Sequence, residues 1–199
     1  LEQFPNWRSP PMLQPAKGDL YYPDWFTGRW QVTSTLVDLV APLAPDIVTP
    51  GFAANQKTLN QPITFPVQFG PEPFKISALP QLPFPVGQLL PSQGIVADRV
   101  YNGMSLADAL LGKAVLKSIK VDPQSPNRQV ALFQNGQTLV TRISDRATQA
   151  PSDDNFVSSE LYQQEFRSST QIYFNQVENT IDYHHVSSEP PRIEADQVT

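Results

Sequence analysis

The residues with the clearest potential for chemistry are two adjacent histidines, His184 and His185. They fall in an alternating run that predicts a β-strand over 172–186, and neighbouring side chains of a strand point to opposite faces. The pair therefore cannot bind one metal ion as two histidines one helical turn apart can, so we predict no metal site. His185 is expected to point inward, because it shares its face with apolar and aromatic side chains. These are Tyr173, Val177, Ile181 and Tyr183.

The carboxylates show no spacing that is typical of an acid and base pair. They fall either in a turn cluster or on strand faces beside polar neighbours. These residues are Asp153, Asp154, Glu160, Glu165 and Glu178. The sequence has no glycine-rich phosphate loop and no nucleophile elbow, and the lack of cysteine excludes thiolate nucleophiles and disulfides. We expect no catalytic residues, and a non-enzymatic role is favoured over an enzymatic one.

Charge and hydropathy argue against nucleic acid and against a membrane span. The formal net charge is -5, the isoelectric point is about 4.9, and no run of Lys or Arg could neutralise a series of phosphates. No window approaches the roughly 20 apolar residues needed to cross a bilayer, so we expect no transmembrane segment. The first residue is Leu1 rather than Met, which is compatible both with removal of a signal peptide and with trimming.

Proline is distributed unevenly, with sixteen of the 21 prolines in the first 91 residues. Proline fixes φ and cannot donate to a β-ladder, so residues 1–24 are predicted to form a proline-rich extended arm that lies along the body. The hydrophobic content of 40% is enough for one core, and residues 25–199 are predicted to form a single domain. Alternation still continues at Thr199, so we expect the natural protein to extend further.

From Gly28 onward the chain reads mostly as strands. Trp30 and Val32 share the inner face of the first strand, by the period of two. Later strands are predicted over 63–69, 74–78, 95–101, 115–121, 128–133, 137–144, 156–167 and 172–186, with a last strand from Arg192. Eight or nine strands with short sequential connections predict an all-β, antiparallel, up-and-down barrel, with a sandwich as the alternative.

Local signals place one helix and one hairpin. Asn102-Gly103 is predicted to turn the chain into a short helix with Ser105 as its N-cap and Gly112 as its C-terminal stop. Asn135-Gly136 is the strongest hairpin signal of the sequence. These signals fix where elements end, but not how the sheet closes.

The segment 79–91 combines four prolines with several large apolar side chains. It cannot form a central strand, so it is predicted to be an apolar loop. Such a loop either packs on its own protein, the favoured reading, or presents its side chains to a partner. The residues that would contact a partner are Leu82, Phe84, Leu89 and Leu90.

The segment Phe26-Thr27-Gly28-Arg29-Trp30 places a Gly-x-Trp at the entrance to an all-β chain. It resembles the opening motif of lipocalins and other calycins. The resemblance implies a calycin barrel in which the tryptophan closes one end. In that family an arginine near the last strand packs across the tryptophan, and here Arg192, or second Arg167, would take that role.

A broader resemblance covers most of the chain. It rests on Tyr22-Pro23-Asp24-Trp25-Phe26, on Ala97-Asp98-Arg99 with Asn102-Gly103, and on Asp122-Pro123 with Pro126-Asn127-Arg128-Gln129. In these motifs the chain is similar to a family of unknown function from cyanobacteria and plastids. The resemblance implies a phototrophic source and export to the thylakoid lumen or the periplasm, and it implies no activity.

Two non-enzymatic functions follow as expectations. The first is a lumenal accessory protein of photosynthetic membranes that binds an apolar ligand, such as a carotenoid, a tetrapyrrole or a lipid, inside the barrel. Its lining would be Trp30, Val32, Tyr173, Val177, Tyr183 and His185. The second is an assembly factor that docks on a photosystem complex through the arm and the loop over 79–91.

Resemblance to other calycins adds two less favoured readings. Some act on lipids or pigments, namely allene oxide cyclase, violaxanthin de-epoxidase and the bilin lyases, but the key residues are not evident here. The absence of cysteine argues against the de-epoxidase in particular. Nitrobindins hold haem through one inward histidine, a role open to His185, although a hydrogen-bonded strand histidine is favoured over a haem ligand.

Overall fold

The computed structural model describes residues 12–41, 51–72 and 94–199, which form two antiparallel β-sheets and two α-helices. In chain order the strands are β1 (Gln14–Pro15), β2 (Gly28–Thr35), β3 (Pro62–Pro71), β4 (Ile95–Ala97), β5 (Leu116–Asp122), β6 (Ser125–Phe133), β7 (Thr138–Ser152), β8 (Asn155–Arg167), β9 (Ile172–Val186) and β10 (Arg192–Val198). The helices are α1 (Phe52–Gln56) and α2 (Arg99–Leu111), and Asp24–Phe26 forms a 3-10 turn.

The larger sheet has seven strands. Its order is β10-β9-β8-β7-β6-β5, and β1 pairs with β7 beyond the point where β6 ends. The smaller sheet has the order β2-β3-β4. Helix α2 packs against β3 of the small sheet and β5 of the large sheet, so it links the two. The prediction of an antiparallel all-β protein is confirmed.

The described strands do not close into a barrel. Strand β10 pairs with β9 and strand β2 with β3, and no ladder among the described residues joins the two sheets. A closed barrel requires one continuous ladder with a fixed stagger. Here the chain leaves the small sheet after β4, forms α2, and starts the large sheet at β5. The predicted barrel closure is therefore not found in this part of the chain.

The arginines expected across Trp30 are elsewhere. Arg192 forms an ion pair of 2.8 Å with Glu194 of its own strand, and Arg167 pairs with Glu165. Both arginine side chains are exposed. Their strands lie in the large sheet, whereas Trp30 lies in the small one, so neither arginine takes the role that the calycin resemblance implied.

The hairpins are the most accurate part of the prediction. Asn135-Gly136 connects β6 and β7, with Gly136 in the left-handed region at φ 83°. The strands predicted over 156–167 and 172–186 match β8 and β9 to within one residue, and the last strand starts at Arg192. Each of these elements is bounded by its own turn residues, so local chemistry was sufficient.

The start of the helix was predicted wrongly. Helix α2 begins at Arg99, and its N-cap is Asp98, whose carboxylate accepts a hydrogen bond of 2.9 Å from the N–H of Tyr101. The sequence pattern had instead predicted a strand through residues 99–101 and a cap at Ser105. Gly112 ends the helix as predicted.

Asn102 and Gly103 dock the helix rather than turn the chain. The Asn102 side chain accepts from the N–H of Gln68 at 2.7 Å and donates to its carbonyl at 3.1 Å, so it extends the ladder beside β3. A Cβ on Gly103 would lie 2.6 Å from Cδ1 of Ile119, and glycine therefore permits the close approach of α2 to β5.

Removal of the helix cap provides a first prediction. We expect Asp98→Ala to lower the free energy of unfolding by about 1 kcal/mol, because the N–H of Tyr101 loses its acceptor. Asp98→Asn keeps a capping oxygen and should lose much less. Urea unfolding of both variants checks this, and equal losses would contradict the assigned cap.

The hydrophobic core lies between the two sheets. Its buried residues are Leu20, Phe26, Ile95 and Phe156, with Tyr22, Trp25, Phe69, Tyr183 and Ile193 packed around them. Leu20 and Tyr22 belong to the predicted arm, so its described end contributes directly to the core. Residues 1–11 lie outside the described residues, and the division of the chain at residue 24 stays a prediction.

Candidate functional site

Four of the predicted lining residues lie on one strand. The register of β8 and β9, with alternation, gives Tyr173, Val177, Tyr183 and His185 a common face, the inner face of the large sheet. A strand rises about 3.3 Å per residue, so Tyr173 and Tyr183 are about 33 Å apart along β9. Tyr183 packs in the core, whereas the ring of Tyr173 lies 6.1 Å from that of Phe166. One small cavity cannot include both tyrosines.

The other two predicted lining residues lie in the small sheet. Trp30 and Val32 are half-buried on one face of β2, and the indole Nε1 of Trp30 donates to the carbonyl of Phe26 at 2.7 Å. Their partners across the ladder are Val67 and Phe65. The six predicted residues are thus divided between two sheets and do not form one continuous wall.

His185 is held by an aromatic ring and a carboxylate. Its ring stacks on Trp25 with a centroid distance of 5.2 Å and an interplanar angle of 11°, and its Nδ1 lies 3.3 Å from Oδ1 of Asp154. The indole Nε1 of Trp25 donates to the carbonyl of Asp153 at 3.0 Å. The histidine therefore fixes the β7–β8 turn to the 3-10 turn, and within the described residues no cluster suited to a metal ion is present.

Asn175 has an unusual environment on the inner face of β9. It lies between Tyr173 and Val177 on their side of the strand, opposite Gln164 of β8. Its Oδ1 is the one buried side-chain polar atom of the described residues that has no hydrogen-bond partner. A buried acceptor without a donor costs about 1–3 kcal/mol, so such an atom requires an explanation.

A group that we call the arginine clamp, Arg146 with Glu160 and Asn127, joins three parts of the chain. Arg146 donates from Nε to Oε1 of Glu160 at 2.7 Å and from Nη2 to Oδ1 of Asn127 at 2.9 Å. Its Nη1 donates to the carbonyl of Gly18 at 3.2 Å, and Asn127 donates to the carbonyl of Ala16 at 3.2 Å. The clamp thereby holds the arm against β6, β7 and β8.

A second ion pair anchors the arm to the helix. Arg99, the first residue of α2, bonds to Oδ1 of Asp19 through Nε at 3.1 Å and through Nη2. Sequence reasoning missed this pair, because its members are 80 positions apart and no local pattern relates them. The one available signal was Asp98-Arg99, for which a surface ion pair was favoured over an internal one, and the sequence indicates no partner in the arm.

Three tyrosines around these ion pairs are strongly perturbed. Burial, assisted by the charge of Glu160, raises the pKa of Tyr162 to about 12. Burial also raises the pKa of Tyr183 and of Tyr22 above the usual range. A general acid or base works best when its pKa lies near the operating pH. Burial moves the pKa values of these tyrosines further above neutral pH. The cluster is arranged for hydrogen bonding and packing.

The tyrosine shifts predict a loss of stability in alkali. Between the unfolded pKa of 10.0 and the folded pKa of about 12 for Tyr162, the folded state holds more protons. The free energy of unfolding therefore falls as the pH rises through this window, by at most about 1.4 kcal/mol per pH unit for each such tyrosine. Urea unfolding from neutral pH to pH 12 measures the slope. Tyr162→Phe should reduce it, and an unchanged slope would refute the assignment.

Glu72 and Gly94, which flank the apolar segment in sequence, meet at one place. The N–H of Glu72 donates to the carbonyl of Gly94 at 3.0 Å, so the chain leaves the small sheet and returns at the same point. The hydroxyl of Tyr21 in the arm donates to Oε2 of Glu72 at 2.7 Å. We call Tyr21, Glu72 and Gly94 the loop base. The predicted partner residues Leu82, Phe84, Leu89 and Leu90 lie outside the described residues.

A surface depression of about 590 Å³ lies between two hairpin turns at the end of the large sheet. Its lining is polar: Asn135, Gly136, Gln137, Thr138, Arg167, Ser168 and Ser169. Arg167 is already paired with Glu165. The depression therefore offers no free charge to an anion, and it is separate from the predicted lining residues.

Comparison with known proteins identifies the family. No curated protein and no solved structure matches the chain. None of the helices in the described ranges has the length and apolar character needed to cross a bilayer. Residues 14–199 match the model of a domain of unknown function, DUF6816. Because the match covers nearly the whole sequence, the chain belongs to the DUF6816 family.

Proposed function

We propose that this protein is a non-catalytic accessory protein that binds an apolar ligand on the inner face of its large sheet. The observation that supports this most is the unsatisfied Oδ1 of Asn175 between Tyr173 and Val177. A ligand with an apolar body and one O–H or N–H donor would contact the two flanking side chains and, by displacing the side-chain atoms that cover Oδ1, complete the hydrogen bonding of Asn175. A hydroxylated carotenoid, a tetrapyrrole or a lipid has this chemistry.

The proposed site uses one end of the sheet and not the whole predicted lining. Tyr183 is part of the core, and Trp30 and Val32 lie in the other sheet. The residues that remain available are Tyr173, Asn175 and Val177, which are all half-buried. An open, half-buried face suits an elongated ligand laid along a strand better than a compact ligand enclosed in a barrel.

Purification without denaturant from a phototrophic host tests the proposal. The absorption spectrum and the native mass should reveal a bound pigment or lipid. Val177→Trp should block the face and abolish binding, whereas Gln176→Trp, on the opposite face of the same strand, should leave binding unchanged. A colourless protein of unchanged mass that takes up no pigment or lipid on titration would refute the proposal.

The setting of this function is part of the same proposal. Export to the thylakoid lumen or the periplasm, next to a photosynthetic membrane, is supported by the resemblance of the sequence motifs to those of cyanobacterial and plastid proteins. Fractionation of a phototrophic host with an antibody to the chain checks it. Recovery from the cytosol or the stroma would exclude this setting while leaving ligand binding open.

A second candidate is docking on a photosystem complex. The loop base favours it, because Tyr21 of the arm is bonded to Glu72, Glu72 is bonded to Gly94, and the loop over 79–91 falls between these two residues in sequence. Serine at Leu82, Phe84, Leu89 and Leu90 should abolish co-purification with the complex. Serine at the exposed Ile172 and Phe174 is the matched control, and equal loss in both variants would refute docking through the loop.

A further inference from the structure

The end of helix α2 carries an exposed apolar tip. Six consecutive residues, 110–115, are exposed, although the next residue, Leu116, is buried. Three of the six are large and apolar: Leu110 is 52% exposed, Leu111 53% and Val115 39%. Single exposed apolar residues are ordinary, but three within six positions concentrate apolar surface at one end of the helix. We call residues 110–115 the apolar tip.

The backbone of the apolar tip is held in an unfavourable conformation. Gly112 has φ 94°, which suits glycine, but Ala114 has φ 64°, a region that L-residues with a Cβ rarely adopt. Such conformations persist where the fold or a function requires them. Val115, which follows Ala114, is exposed although β5 begins at the next residue.

The charges around the apolar tip differ in sign from those of the whole chain. The formal net charge of the protein is -5, yet three of its lysines lie within eight positions here, at Lys113, Lys117 and Lys120. All three are exposed. From residue 99 to residue 121 the one acidic residue is Asp108, which is half-buried on the helix. Lys113 lies within the tip and Lys117 two residues after it.

We propose that the apolar tip docks this protein on an anionic lipid surface. Leu110, Leu111 and Val115 enter the boundary between headgroups and acyl chains, while Lys113 and Lys117 bind the lipid phosphates. A short apolar tip alone binds a bilayer weakly, and a second, electrostatic contribution is what makes such binding measurable. The combination favours lipid over a protein partner, since a protein groove would bury the lysines at a cost.

Vesicle binding of the full chain tests the proposal. Flotation with vesicles of phosphatidylglycerol and phosphatidylcholine in equal parts should recover the protein, and vesicles of phosphatidylcholine alone should recover much less. Lys113→Gln with Lys117→Gln should weaken binding about thirtyfold, since each lysine near the surface contributes about fivefold. Lys57→Gln, at an exposed lysine elsewhere, should have no effect.

Leu110→Ser with Leu111→Ser should abolish flotation, whereas Ile172→Ser with Phe174→Ser should not.

A label gives a readout that is independent of affinity. The chain has no cysteine, so Leu111→Cys takes one environment-sensitive fluorophore, and Phe174→Cys is the matched control. Phosphatidylglycerol vesicles should shift only the Leu111 label to the blue. Absence of binding by the wild type, or equal shifts at both positions, would overturn the proposal. So would a response of the Leu111 label to polyglutamate and not to vesicles, which would assign the tip to an acidic protein.

Discussion

Replacing Arg146 by methionine is expected to lower the free energy of unfolding by about 3–5 kcal/mol. The side chains of Arg146 and Glu160 are only 9% and 12% exposed, so the substitution leaves a buried carboxylate without its partner. It also removes the donors to Asn127 and to the carbonyl of Gly18. The substitution therefore removes from the arginine clamp both the ion pair with Glu160 and the hydrogen bond to the arm at Gly18.

Urea unfolding at neutral pH measures this effect, with two matched variants. Arg146→Met combined with Glu160→Leu removes both charges and should recover part of the loss, because an apolar pair can replace a buried ion pair at little cost. Arg192→Met breaks an exposed pair and should change stability by less than about 1 kcal/mol. If Arg146→Met were as mild as Arg192→Met, the clamp would have no role in stability.

Leu20→Ala is expected to lower the free energy of unfolding by about 2–5 kcal/mol. Leu20 is 3% exposed and packs with Phe26, Ile95 and Phe156, so truncation leaves a cavity that the surrounding rings fill only in part. A separable docking arm would tolerate this change. The expected loss therefore distinguishes an arm that is part of the core from one that lies on the surface.

The matched control for Leu20→Ala is Met12→Ala, since Met12 is 86% exposed near the start of the described arm. It should change stability by less than about 0.5 kcal/mol. Thermal and urea unfolding of both variants provide the measurement. Near-equal stability of Leu20→Ala and the wild type would mean that the arm is not required for the core. Deletions aimed at docking should in any case end before Asp19 and Leu20.

Local signals predicted the large sheet well and its closure badly. The turns at Asn135-Gly136 and at 151–155 have sequence signatures, and from β5 to β10 each strand pairs with its sequential neighbour. Strand β7 nevertheless runs to Ser152, eight residues past its predicted end at Ser144. Closure depends on whether the first strand meets the last one, which no turn residue encodes. The helix start shows the same limit, because Asp98 was read as the continuation of a strand that begins at Ile95.

The face of β9 could be derived from alternation alone, but its environment could not. Period two places Tyr173 and Val177 on one side, and the register agrees. Whether Asn175 finds a donor depends on what packs over it, and this is a property of the assembled sheet. Asp19 and Arg99 illustrate the same limit, since their pairing follows only from the arm's position beside α2.

The contacts between the arm and the last hairpins also determine the order in which the protein can fold. Trp25 bonds to Asp153 and Arg146 to Gly18, each across 128 positions of sequence. Chains dominated by such distant contacts fold slowly, because loop closure precedes the contacts that stabilise it. During synthesis the bonds of the arm to Arg146 and Asp153 cannot form until β7 and the turn after it have left the ribosome. The part of the core that these contacts complete, around Leu20 and Phe156, therefore forms late in synthesis.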